Sequence, residues 1–191
     1  MKNKRSPVGQ YIIEGLGESD DSYEYVYELL PLIGEVVLFF NALESDLDHH
    51  ICFYMSDRSD QKGLLVLTNM MYATKVDLFY RFYSEYLRGM NFQIECFDGL
   101  ISDLKECGTL RNRIVHANWL QTDEEGYTQV RIKHSKNGLE HELWQFSIES
   151  IEKVLAKIHS TRSLLDYFWQ SCEDEVMRWN KEIEDRKNKD A

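Results

Sequence analysis

Apolar side chains recur every three to four positions along most of this chain, which is the spacing that places them on one face of an α-helix. The first such run includes Val36, Phe40 and Leu47, and it follows Pro31, a residue suited to the first turn of a helix. Residues 56–63 then have the polar composition of a loop. The pattern predicts a first long helix that ends at this loop.

Three further helices follow from the same spacing. The second covers Leu64 to Leu87, the third runs from about Ile94 to Asn118, and the last begins near Ser147. The chain has only two prolines, Pro7 and Pro31, so long uninterrupted helices are permitted. A last helix of about 38 residues would be roughly 57 Å long at about 1.5 Å per residue.

Between the third and last helices the apolar spacing changes to every second residue. Tyr127 to Lys133 alternates, Asn137 and Gly138 form a pair typical of tight turns, and Leu139 to Phe146 alternates less cleanly. We therefore predict a mainly all-α fold, an up-down bundle of four to five long helices with a small β-hairpin inserted before the last helix.

Length and composition favour one compact domain. The chain has 191 residues, 43% of them hydrophobic and 13% aromatic, which argues against intrinsic disorder. We expect a flexible lead over residues 1–22, a bundle domain over 23–183 with the hairpin insertion at 120–146, and a charged tail over 184–191.

Charge and cysteine content limit the classes of partner and compartment. A net charge of −11 disfavours general binding to nucleic acids, so any contact with RNA requires a local basic site. The four cysteines are too scattered in sequence for a zinc site or a disulfide framework. We predict that they are reduced residues of the core. No uninterrupted apolar span of membrane length is apparent, so we expect a cytoplasmic protein with no membrane partner.

One basic cluster stands out in this acidic chain, at residues 111–119. Arg111 supplies a permanent cation, Asn112 a neutral hydrogen-bonding group, and His116 an imidazole that exchanges protons near neutral pH. On a helix, Asn112 and His116 would lie about 40° apart and Arg111 and His116 about 140° apart. This combination suits phosphate chemistry.

The stretch from Arg111 to His116, Arg-Asn-Arg-Ile-Val-His, resembles the signature of the HEPN superfamily. Its ribonuclease members carry an arginine, a polar residue beside it, and a histidine four to six residues later. The expected position near the end of the third helix is also similar, and the likeness covers roughly residues 24 to 180.

The resemblance implies a metal-independent endoribonuclease that needs no cofactor. The ribose 2′-hydroxyl attacks the adjacent phosphorus, leaving a 2′,3′-cyclic phosphate and a 5′-hydroxyl. His116 would be the general acid or base, Arg111 would hold the phosphate oxygens, and Asn112 would orient the phosphate, the ribose or His116.

The resemblance also implies partners. Members of the family are typically homodimers whose two motifs face each other in a composite site, and Arg113 would converge there with Arg111. Lys75 is a further candidate for RNA binding, and Glu44 resembles a polar position common in related bundles. A role as toxin or anti-phage defence effector, with an antitoxin or another regulatory protein as partner, is typical of the family.

Two other interpretations of the cluster remain open. Arg111 could form a surface ion pair while His116 is favoured by the helix dipole at the last turn, with no chemistry involved. Alternatively, the chain could be a non-catalytic HEPN-like module for dimerisation or partner binding. Asp46 and His49 imitate half of a bundle metal site, but no second copy is present, so no metal site is predicted.

Overall fold

The computed structural model describes residues 1–8, 20–55, 60–123 and 125–189, without the side chains of residues 20–24, 120 and 121. Within these ranges the protein is mainly α-helical, as predicted, and it also contains one antiparallel sheet. The helices are α1 (Asp20–Met55), α2 (Gln61–Leu67), α3 (Tyr72–Met90), α4 (Phe97–Val115) and α5 (Ile148–Lys189). The strands are β1 (Lys2–Pro7), β2 (Asn118–Thr122), β3 (Tyr127–Ser135) and β4 (Gly138–Gln145).

The start of the last helix is fixed by two serines. The backbone N–H of Ser150 donates to Ser147 Oγ at 3.2 Å, and the backbone N–H of Ser147 donates to Ser150 Oγ at 2.8 Å. This reciprocal pair satisfies N–H groups that have no partner inside a helix. It explains why α5 begins where the sequence predicts, directly after Ser147.

The predicted second helix is wrong as a single element, because the chain forms α2 and α3 instead. Thr68 ends α2, with its hydroxyl donating to the Leu64 carbonyl at 2.7 Å. Asn69 then takes a left-handed conformation with φ of 64°, which asparagine tolerates better than most residues. The apolar spacing continues across this break, so spacing alone does not reveal it.

The predicted hairpin is confirmed as β3 and β4, but it belongs to a larger sheet. Ser135 lies opposite Gly138, whose φ of 102° is a conformation that glycine adopts easily. Strand β1 adds to β4 and β2 adds to β3, giving the order β1-β4-β3-β2. The expected lead over residues 1–22 therefore begins with a strand, while residues 9–19 lie outside the described part of the chain.

Two other predicted boundaries need correction. Helix α1 begins at Asp20, so Pro31 lies inside the helix and not in its first turn. Helix α5 continues to Lys189, so most of the expected tail of residues 184–191 is helical. The charged residues of both signs in this segment occur in solvated helices and also in frayed chain ends. Composition therefore does not distinguish a helix from a frayed end here.

The described chain divides into two compact units that interleave in sequence. The first unit comprises Met1–Asn41 and Cys107–Ile158, and it contains the whole sheet. Its core is formed by Leu29, Val36, Phe40, Ile114, Phe146, Ile151 and Ile158. The second unit comprises Ala42–Glu106 and His159–Ala191, with a core of Leu43, Leu47, Ile51, Phe79, Tyr83, Leu100, Leu104, Leu165 and Phe168.

One segment of α1, Tyr25–Met55, is long and apolar enough by composition to cross a membrane. The segment is not an uninterrupted apolar run, because it contains Glu28 and Glu35, and the expectation of a cytoplasmic protein stays a prediction. Core helices of soluble proteins meet the same criterion, and Leu29, Val36 and Leu43 in this segment are fully buried within the protein. Length and composition do not distinguish the two roles.

Candidate active site

The Arg-Asn-Arg-Ile-Val-His motif lies at the C-terminal end of α4, in the first unit. Helix α4 ends at Val115, three residues earlier than predicted, and His116 follows it directly. The backbone N–H of His116 still donates to the Asn112 carbonyl at 3.1 Å, which keeps these two residues one helical turn apart. Both side chains are exposed to solvent. A ligand can therefore reach Asn112 and His116 from the same side.

The end of α4 is held by a tryptophan. The indole Nε1 of Trp119 donates to the Ile114 carbonyl at 2.9 Å, satisfying one of the carbonyls left unpaired at a helix C-terminus. The Trp119 ring packs against Phe146 with ring centroids 4.9 Å apart. Ile114, which precedes His116, is fully buried. Ile114 and Trp119 therefore hold the turn that carries His116 from before and after it in sequence.

Arg111 is held by contacts with two neighbours. Its Nη1 donates to Asn112 Oδ1 at 3.1 Å, and its guanidinium carbon lies 5.3 Å from the centroid of the Phe40 ring. Its Nε is buried and has no hydrogen-bond partner among the described residues. The Arg111 guanidinium is therefore held beside Asn112 and the Phe40 ring, and its Nε–H takes no part in these contacts.

Arg113 contacts the sheet, whereas Arg111 contacts Asn112 and Phe40. Its guanidinium carbon lies 4.2 Å from the centroid of the Trp144 ring on β4, a cation–π contact. The Trp144 Nε1 in turn donates to Glu142 Oε1 at 3.1 Å. Arg113 is thus tied to the sheet, and its predicted contact with RNA stays a prediction.

Glu142, on β4, is the carboxylate to which the neighbouring basic side chains of the sheet bind. Its carboxylate accepts from Arg131 Nε at 2.6 Å and pairs with Lys133 Nζ at 2.8 Å. Burial alone would raise the pKa of Glu142, but the bonds from Arg131, Lys133 and Trp144 outweigh it and lower the pKa to about 2. Glu142 stays ionised near neutral pH and offsets part of the positive charge beside Arg113.

Lys75 lies in the second unit, on α3, and its ammonium is already paired. Lys75 Nζ lies 2.8 Å from Glu44 Oε1 and 2.7 Å from Asp48 Oδ2, and its side chain is 9% exposed. Burial alone would lower the pKa of Lys75, but the two carboxylates outweigh it and raise the pKa. The predicted binding of RNA by Lys75 stays a prediction, and the function proposed below does not use it.

No family model, curated protein or solved structure matches this chain. The likeness to the HEPN superfamily therefore stays a prediction that rests on the motif. The expected position near the end of the third helix changes to the end of the fourth, α4, because the predicted second helix is divided into α2 and α3. Among the described residues, no group of three or more His, Cys, Asp and Glu side chains could hold a metal ion.

Three aromatic residues support the motif and were not assigned this role from sequence. From sequence, Phe40 belongs to an apolar stripe, Trp119 marks the end of a helix, and Trp144 lies in a predicted strand. Trp119 follows Ile114 by five residues, and this short separation is a weak indication that its indole N–H could reach the Ile114 carbonyl. No spacing rule predicts the Arg111–Phe40 or Arg113–Trp144 contacts, because each joins distant parts of the sequence.

Proposed function

We propose that this chain is a metal-independent endoribonuclease of the HEPN type. The observation that carries the proposal is the Arg111–Asn112 hydrogen bond one turn before the exposed His116 at the end of α4. A cation, an amide and an imidazole are thereby held on a short, anchored segment. These groups suit phosphate ester cleavage without a metal, since they supply a proton-transfer group and donors for the charge on the phosphate oxygens.

The proposed reaction is an intramolecular transesterification. The ribose 2′-oxygen forms a bond to the adjacent phosphorus, and the bond from phosphorus to the 5′-oxygen of the next nucleotide breaks. A base removes the 2′-hydroxyl proton and an acid donates a proton to the leaving oxygen, and His116 serves in one of these roles. Arg111 stabilises the charge that gathers on the non-bridging oxygens, and its unpaired Nε is a further donor that a rearranged side chain could offer.

The two proton transfers are the reason to propose a homodimer. A second copy of His116 would supply the other acid or base, and the two copies of Arg111 and Arg113 would concentrate positive charge on an acidic protein. We further propose that the long helices pack as an up-down bundle and that the end of α4 lies at the dimer surface.

The second candidate, a non-catalytic module that binds a protein partner, is favoured by a different feature. Leu65 and Met71, in and after α2, are 72% and 76% exposed, and Leu64 and Val66 are also exposed. Exposed apolar side chains that lie close together in sequence are candidates for a protein interaction site. It is compatible with an antitoxin or regulatory partner and also with a protein that does not cut RNA.

RNA end-group analysis tests the proposed reaction. Purified protein is incubated with RNA in EDTA, and the products are examined for cyclic phosphate and 5′-hydroxyl ends. We expect both ends, and we expect no cleavage at a site where the ribose is replaced by 2′-deoxyribose. Cleavage at the deoxyribose site, 5′-phosphate ends, or activity only with added divalent metal would contradict the proposal.

A further inference from the structure

The second unit contains a cavity of about 720 Å³ that lies outside the candidate active site. Its walls come from the end of α1, from α3, and from the second half of α5. Its volume falls within the range of small-molecule sites, which is about 300–1,000 Å³. The lining residues are Phe53, Tyr54, Tyr83, Tyr86, Trp169, Cys172, Glu173, Val176 and Met177.

Aromatic rings form most of the wall. Phe53 meets Trp169 edge to face, with centroids 4.5 Å apart and planes at 86°. Tyr83 contacts Tyr54 at 5.6 Å and Tyr86 at 6.2 Å between centroids. Ring faces carry partial negative charge, so a wall of rings set at steep angles to one another attracts organic cations as well as apolar groups.

Glu173 is the one lining residue among those described that carries a charge at neutral pH. Burial raises the pKa of the Cys172 thiol to about 12, and burial also raises the pKa values of Tyr83 and Tyr86. These three groups therefore stay neutral. Glu173 is exposed, and no ion pair joins it to another described residue. The described wall of the cavity thus presents one negative charge, Glu173, beside aromatic rings.

We propose that this cavity binds a lipophilic organic cation, a small molecule with aromatic groups around one positive charge. The cation would face Glu173 and the rings, while the aromatic groups fill the apolar part of the cavity. Among the described lining residues there is no lysine or arginine that would neutralise an anion. The Tyr83 hydroxyl already donates to the His50 carbonyl at 3.2 Å, so the other polar groups of the described wall are two tyrosine hydroxyls, one indole N–H and the Glu173 carboxylate. This site does not depend on the proposed ribonuclease activity.

Tetraphenylphosphonium is a suitable probe, because tetraphenylborate has nearly the same shape and the opposite charge. The two ions are titrated separately into the full chain by isothermal titration calorimetry in 0.15 M salt. We expect tetraphenylphosphonium to bind in the micromolar range, at one site per chain, and at least tenfold more tightly than tetraphenylborate. Absence of binding, or equal binding of the two ions, would overturn the proposal.

Variants then locate the site. Met177 is 59% exposed, so Met177→Trp fills the cavity from its mouth without disturbing the core, and we expect it to weaken binding at least tenfold. Glu173→Gln should weaken binding roughly two- to fivefold, the effect of one surface charge pair. Asp174→Asn removes the same charge from an exposed neighbour that does not line the cavity, and it should leave affinity unchanged.

The variants also decide against specific alternatives. If Met177→Trp folds with wild-type circular dichroism and still binds the probe fully, the site is elsewhere. If Asp174→Asn weakens binding as much as Glu173→Gln, the acidic protein attracts the cation in a general way. If Glu173→Gln leaves affinity unchanged, the cavity selects apolar groups and not charge. Each of these results would contradict the proposal.

Discussion

Lys75 shows how a charged side chain can hold two helices together in the second unit. It lies on α3, and its carboxylate partners Glu44 and Asp48 lie on α1. Removing the cation leaves two carboxylates close together and partly shielded from water. The contribution of Lys75 to stability is therefore larger than that of an exposed ion pair.

The variant Lys75→Met should lower the free energy of unfolding by about 2–3 kcal/mol, since Glu44 and Asp48 lose their common partner while the apolar stem is kept. Urea unfolding followed by circular dichroism measures this change. Lys105→Met is the matched control, because Lys105 pairs with Asp77 at 3.1 Å with both side chains 55% exposed. Equal effects of the two substitutions would show that Lys75 acts as an ordinary surface lysine.

His50 predicts how stability depends on pH. Burial, with a further contribution from His49, lowers the pKa of His50 to about 4, whereas histidine in an unfolded chain titrates near about 6.5. The unfolded chain therefore binds more protons between these pH values. The contribution of His50 is fully present above about pH 6.5 and is lost as the pH falls toward 4, by up to about 3 kcal/mol.

Unfolding free energies measured between pH 7 and pH 4 test this expectation. His50→Gln should flatten the pH dependence in this interval, because the titrating group is gone. His49→Gln changes the exposed neighbour and should retain most of the dependence. A slope that is the same in wild type and His50→Gln would contradict the assignment.

Sequence could place the motif residues but not their contacts. The helical spacing of Asn112 and His116 was sufficient to predict that they share a side near the end of a helix. The neighbours of Arg111 and Arg113 were not predictable, because Phe40 and Trp144 come from distant segments. Likewise, nothing in the local sequence of Lys75 indicated that its charge is used inside the second unit.

At the scale of elements, helix α2 depends on a close approach to α1. A Cβ atom added at Gly63 would lie 2.5 Å from Cys52 Sγ and 2.8 Å from Cys52 Cα. The second contact is with backbone, which cannot move aside as a flexible side chain would. The absence of a side chain at Gly63 is thus what lets α2 pack against this part of α1.

Gly63→Ala should destabilise the protein by about 1–3 kcal/mol, the typical cost of overpacking a core. Gly34→Ala in α1 is the control, since a Cβ there has nothing within 4 Å, and it should stabilise by about 0.5–1 kcal/mol through better helix propensity. Thermal unfolding of both variants measures the two effects. A neutral or stabilising Gly63→Ala would contradict the described packing.

The elements that sequence predicted best were those with a periodic apolar face or a marked boundary. Helix α5 and the β3–β4 hairpin have both. Strand β1 was missed because Lys-Asn-Lys-Arg-Ser-Pro contains no apolar residue before its proline, and its pairing with β4 supplies the missing information. The break between α2 and α3 was missed because it lies within continuous apolar spacing.

At the scale of the whole molecule, the spacing of apolar residues predicted a mainly helical protein, and the structure confirms this class. The division into two interleaved units was not predictable, because α1, α4 and α5 each contribute to both and no linker marks the boundary. The proposed dimer follows from the chemistry of His116, since one imidazole cannot readily be base and acid in the same step. The proposed dimer is therefore tested by RNA cleavage activity as well as by the molecular mass of the protein in solution.

The most direct test of the proposed function compares two histidine substitutions in one cleavage assay. Single-turnover cleavage of RNA in EDTA is measured for wild type, His116→Ala and His134→Ala, where His134 is an exposed histidine on β3. We predict that His116→Ala slows cleavage at least about 100-fold, as expected for loss of a general acid or base, and that His134→Ala retains the wild-type rate. A His116→Ala protein that folds normally and cleaves at the wild-type rate, or a wild-type protein that does not cleave RNA, would contradict the account.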